Sequence, residues 1–179
     1  LPDDVSGLTI TRSGQMWARG SQNGKAAIAQ FVNGKWQTTV FPKLSPRVAG
    51  IYEANDGTLW VQQSYILNPR EGHLGGLIKI RPGQSPEHIP PPSAPLYMYG
   101  GMGETAGGAL WWGGRGLRRF DGDATVSLSV PEGLSEWVHD VYSDGAGHLW
   151  VGTRSEGVFQ YDGNHWKRHG VEDGLAANF

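Results

Sequence analysis

Cysteine is absent from the 179-residue chain, which excludes a disulfide framework and any thiolate zinc site, and leaves the compartment open. Neither sign of charge dominates. Fifteen Lys and Arg stand against seventeen Asp and Glu, a formal net charge of −2, and without a basic stripe no nucleic-acid partner is expected. No apolar run approaches the roughly 20 residues that cross a bilayer. The first residues, LPDDVSGL, lack the basic and apolar regions of a signal peptide, so direct membrane insertion of this segment is not expected. Catalytic signatures are missing as well. There is no His-Glu-x-x-His and no phosphate-cradling glycine loop with its lysine, and TRSEG around Ser155 lacks the first glycine of Gly-x-Ser-x-Gly. The six histidines show no metal-ligand spacing, and DGDA at 121–124 lacks the rest of an EF-hand loop, so neither metal nor cofactor is expected.

Glycine and tryptophan are what the chain has in excess, 28 and 8 residues, while sustained helical periodicity is absent; short strands and tight turns follow. Self-similarity organises them. SGQMWARG carries Trp17, NDGTLWVQQ Trp60, AGGALWWGG Trp111 and GAGHLWVGT Trp150, at intervals of 43, 51 and 39 residues, close to the roughly 40–50 of a four-stranded propeller blade. Each copy continues into an apolar segment and a turn: AAIAQFVNGKW, GGLIKIRPGQ, RGLRRFDGDA and EGVFQYDGNHW. Asn33-Gly34, Asp121-Gly122 and Asp162-Gly163 suit the positive φ of a strand reversal. The last unit reads as strands near Trp137–Tyr142, His148–Gly152, Gly157–Tyr161 and Trp166–His169, and equivalent first strands are predicted near Val5–Ile10, Val48–Glu53 and Tyr97–Gly103. The fold expected is all-β, a propeller of about four four-stranded antiparallel blades at 1–42, 43–92, 93–131 and 132–179. Gly57, Gly147, Asp121 and Asp162 serve its turns, and the four repeat tryptophans fill the space between sheets.

DGAGHLWVGTRSEGVFQYDG followed by VEDGLAANF resembles the two-component regulator propeller repeat. LWWGGRGLRRFDGD and PEGLSEWV carry the resemblance into the third unit, and the first two units are degenerate. The resemblance implies a non-enzymatic, periplasmic or extracytoplasmic sensor region that binds a small molecule such as a saccharide and signals to a histidine kinase or diguanylate cyclase. LPDDV and DGLAANF look like the same inter-blade linker, so the chain is expected to be a piece of a longer sensor. An open blade array exposes a sheet face at each end. Closure on itself, self-association or further blades of a parent chain would cover them. Two other functions stay open: a lyase-like propeller enzyme using His73, Glu71 and His139, and an interaction or dimerisation scaffold.

Binding residues are sought on the loops between second and third strands, the loop positions of a rigid scaffold. The second unit has the longest such loop, QQSYILNPREGHLGG, with Tyr65, Arg70, Glu71 and His73. Arg19, Arg70, Arg115 and Arg154 give each unit an arginine in this region, and converging guanidinium groups suit a carboxylate or sulfate; exposure or capping of loop carbonyls is the alternative. Trp112 and Trp137 lie off the repeat positions and either stack on a sugar or fill core. The run IPPPSAPLY, 89–97, reads as a stiff linker or a recognition segment.

Overall fold

The computed structural model describes residues 1–44, 46–63, 75–90, 101–122, 125–127, 134 and 137–178. The chain is all-β and forms two compact units, residues 1–97 and 98–179, each holding two antiparallel sheets that are propeller blades.

In the first unit, blade 1 is the meander β1 (Asp4–Ile10), β2 (Met16–Gln22), β3 (Lys25–Val32) and β4 (Lys35–Phe41). Blade 2 is β5 (Val48–Glu53), β6 (Leu59–Gln63), β7 (Gly76–Ile80) and β8 (Glu87–Ile89). The reversals follow from glycine. Asn33 and Gly34 take φ of 50° and 76° between β3 and β4, the left-handed pair that matches strand twist. Asn23 and Gly24 repeat it between β2 and β3 at 51° and 70°, a turn not anticipated from the sequence. Alternation along the strands sends Ala26, Ile28 and Phe41 of blade 1 to one face. There they join Val48, Ile51, Leu59, Val61 and Ile78 of blade 2 in one apolar cluster, with Trp17 packed against it.

In the second unit, blade 3 comprises β9 (Met102–Glu104), β10 (Leu110–Trp112), β12 (Arg118–Phe120) and β13 (Thr125–Ser127). Blade 4 comprises β14 (Trp137–Ser143), β15 (Leu149–Thr153), β16 (Val158–Tyr161) and β17 (Trp166–His169). The two-residue strand β11 (Gly114–Arg115) leaves blade 3 and pairs with β14, so the blade 4 sheet has five strands. Ala109, Trp111 and Leu117 of blade 3 pack on Val138, Val141, Leu149, Val151 and Phe159 of blade 4. Trp111 lies 5.6 Å from the Tyr161 ring and 6.2 Å from Trp166, separations at which offset and edge-on rings attract.

Side-chain acceptors knit the turns. Six residues before Trp150, the Asp144 carboxylate accepts its indole N–H at 2.9 Å, the backbone N–H groups of Ala146 and His148, and a contact from His148 Nδ1 at 3.0 Å. Those donors, the Trp150 indole first, hold the carboxyl well below the usual range. The equivalent residues are Thr11, Ala54 and Thr105.

Candidate functional site

Two elements of the second unit bring three of the sequence-predicted residues to one place. β11 runs antiparallel to β14 with Arg115 opposite Trp137. The Arg154 N–H, just past the end of β15, donates to the Trp137 carbonyl at 3.1 Å. The backbones of both arginines therefore flank the half-buried Trp137, although their partners are distant in sequence. The turn that carries Arg154 is fixed from within. Buried Thr153 donates its hydroxyl to the Gly157 carbonyl at 2.8 Å and accepts the Glu156 N–H at 2.9 Å. Gly157 has φ +83°, and a Cβ there would stand 2.3 Å from the His169 carbonyl oxygen, so glycine is required. Its N–H reaches the Asn178 carbonyl at 2.8 Å. On this braced turn Arg154 is exposed, its backbone tied to that of the half-buried Trp137.

Arg19 is placed differently. It lies within β2, opposite Gly7, two residues after its repeat tryptophan, whereas Arg115 and Arg154 come four residues after theirs. Arg19 therefore does not share the register of Arg115 and Arg154. The Arg19 guanidinium covers Gly7, where a Cβ would meet Cζ at 2.6 Å, and donates to Thr9 Oγ1 at 3.4 Å; burial lowers its pKa. It braces β1 against β2. Trp112 is 1% exposed at the register of Val61 and Val151, so it fills core and offers no stacking surface. His139 is exposed on β14. Tyr65, Arg70, Glu71 and His73 lie outside the described residues, as does most of the proline run.

The polar residues that sequence reasoning passed over are Gln62, Gln63 and Arg118. Both glutamines are 0% exposed, and among the described residues neither amide has a hydrogen-bond partner. They stand where unit four has Gly152 and Thr153, so LWVQQ against LWVGT was the available signal. Arg118, buried in β12 opposite Trp112, has its pKa lowered by burial. The tryptophans also share a device across the strand: Lys79 Nζ stands 5.1 Å from the Trp60 ring and Arg119 Cζ 5.8 Å from Trp111, within cation–π range.

Residues 132–155, which take in β14, β15 and Arg154, match the family described as two component regulator propeller. The chain carries a two component regulator propeller repeat. This repeat segment includes Trp137 and Arg154, so that two of the three clustered residues lie in the matched stretch. No curated protein sequence matches the chain. Among solved structures, the extracellular domain assigned to a hybrid two component system of B. thetaiotaomicron is 20% identical, with a TM-score of 0.69 over 99% of this chain and 24% of that one. The extracellular domain assigned to a one component system of the same organism gives 19%, 0.66, 99% and 24%. Virginiamycin B lyase from Staphylococcus aureus gives 16% and 0.67 over 91% of this chain and 54% of the lyase. The chain thus spans about a quarter of the sensor domains and about half of the lyase. At these identities the likeness establishes the propeller fold, which sensors and enzymes share. Among the described residues, no helix is long and apolar enough to cross a membrane.

Proposed function

We propose that the chain is a ligand-sensing propeller segment of an extracytoplasmic two-component-type receptor, and that Trp137 with Arg115 and Arg154 contacts an acidic saccharide. The observation that carries this reading is the convergence at Trp137: one arginine pairs with it across a ladder and a second donates to its carbonyl. A pyranose offers an apolar face for a ring to stack on, and a carboxylate or sulfate matches the guanidinium fork. The repeat at 132–155 and the extracellular sensor domains of the same fold support the receptor context.

The test is calorimetric titration of the chain with a uronic-acid disaccharide and with its neutral counterpart. Saturable binding of the acidic sugar is expected, weakened about 3- to 10-fold by Trp137→Ala, an aromatic contact worth roughly 0.5–1.5 kcal/mol. Arg154→Gln is expected to weaken the acidic sugar alone. Equal affinity for both sugars, or binding that neither substitution changes, would remove this site from the reading.

A further inference from the structure

The seam between blades 1 and 2 leaves buried polar atoms unanswered. Alternation along β2 puts Arg19 on the face that carries Trp17, opposite Ile28 of β3, and Ile28 belongs to the cluster joining the two blades. Gln63, the last residue of β6, shares its face with Leu59 and Val61 of the same cluster and pairs with Val48, another member. Arg19 and Gln63 therefore lie on the two sheet faces that meet within the first unit. Gln63 is 0% exposed, and neither its Oε1 nor its Nε2 has a partner among the described residues. Among those residues the half-buried Arg19 guanidinium meets only Thr9 Oγ1, at 3.4 Å. Its Nε is buried without an acceptor, and burial lowers its pKa with no carboxylate opposing the shift.

The corresponding seam between blades 3 and 4 is built differently. There the Arg19 position is Gly113, where a Cβ would stand 2.6 Å from Val138 Cγ1. Val138 is to Thr153 what Val48 is to Gln63, the cross-strand partner at a bulge. The repeat thus brings Arg19 to the level of Val48, beside Gln63 across the ladder. At that level blades 1 and 2 admit a side chain that blades 3 and 4 exclude. Thr153, at the Gln63 position, is satisfied by its own turn. One seam is closed and self-satisfied; the other holds two donors, Arg19 Nε and Gln63 Nε2, and one acceptor, Gln63 Oε1, without partners among the described residues.

Buried polar groups are rarely left unpaired, and an orphaned set marks a place that water or a ligand fills. The chemistry of this set is selective. The Nε–Nη edge of a guanidinium matches a carboxylate bidentately, while an amide, with donor and acceptor side by side, suits a hydroxyl. We infer that Arg19 and Gln63 form a binding site for a small 2-hydroxycarboxylate between blades 1 and 2, the carboxylate on Arg19 and the hydroxyl on Gln63. The site uses no residue of the Trp137 group and stands apart from the saccharide reading.

Thermal unfolding of the chain in sodium lactate, sodium propionate and sodium chloride at equal ionic strength tests it, with circular dichroism to verify the folding of each variant. A ligand that binds only the folded state raises the melting temperature; lactate is expected to raise it most, propionate less and chloride not at all. Arg19→Gln is expected to weaken lactate binding at least about 10-fold through lost hydrogen bonds to a charged group. Arg19→Lys, which keeps the charge without the fork, is expected to weaken it as well. Gln63→Leu is expected to erase the advantage of lactate over propionate and, by removing an unpaired buried amide, to raise the melting temperature of the ligand-free chain. The lactate shift is expected to persist in an Arg115→Gln, Arg154→Gln chain. Its loss there would assign the carboxylate to the Trp137 site and overturn the inference. Equal behaviour in all three salts, or a lactate shift that survives both Arg19→Gln and Gln63→Leu, overturns it too and leaves ordered water as the occupant of the seam.

Discussion

Trp111 and Trp150 are the same residue of the repeat in two surroundings. Trp111 is buried between two blades, its ring against Tyr161 and Trp166 and its indole N–H 3.4 Å from Thr105 Oγ1. Trp150 is half-buried with its ring stacked on His169, and its N–H meets the Asp144 carboxylate at 2.9 Å. The difference separates two tasks that the consensus residue combines: the ring supplies apolar surface to a neighbouring blade, while the N–H ties the strand to its own preceding turn. Trp17 is a third case, packed on blade 2 with a buried indole N–H that has no acceptor among the described residues.

Removing each ring measures the first task. Trp111→Ala empties a filled junction and is expected to cost about 3–5 kcal/mol in urea denaturation. Trp150→Ala is expected to cost less than ~2 kcal/mol, since half-exposed surface is lost and one hydrogen bond broken. Equal losses would mean that the neighbouring blade adds nothing to the tryptophan.

The second task is read by acid. The Asp144 carboxyl is held below its ordinary range chiefly by the Trp150 indole N–H, so its contribution is present above the unfolded carboxylate pKa, about 3.9, and is lost as pH falls toward the depressed folded value. Between pH 5 and pH 2 the melting temperature should fall more steeply for the native chain than for Asp144→Asn. Parallel profiles would show that the turn carboxylate is not linked to folding. The smallest effect is a gain: Thr11→Asn offers Trp17 a carbonyl acceptor at the Asp144 position without adding charge near Glu53, and should raise stability by ~0.5–1 kcal/mol. An unchanged urea midpoint would show that the acceptor is not reached.

The strand framework was readable because its determinants are local. Glycine with positive φ, Asn-Gly pairs and alternating apolar residues each act within a few positions, and the predicted Val48–Glu53 and Trp166–His169 coincide with β5 and β17. The site was less legible because its geometry is not local. The pairing of Arg115 with Trp137 spans two blades and 22 residues, and no spacing rule announces a two-residue strand. Arg19 departs from Arg115 and Arg154 for a simpler reason. Arg19 lies two residues nearer its tryptophan than Arg154 does, about 7 Å along a strand, which moves it from loop to ladder. Trp112 is core, one of the two readings that its place beside the repeat tryptophan left open, because a large ring at a valine register does not by itself tell burial from display.

The short strand β11 changes how the second unit should come apart. Stacked repeats behave as a row of neighbours coupled only through their shared surfaces, and each is free to open when its own contacts fail. Here a segment of blade 3 is a rung of the blade 4 ladder, so detaching one blade requires breaking backbone hydrogen bonds in the other. Amide protons of β10 and β15 should then exchange through one shared opening, and blades 3 and 4 form a single cooperative block rather than two links of a chain.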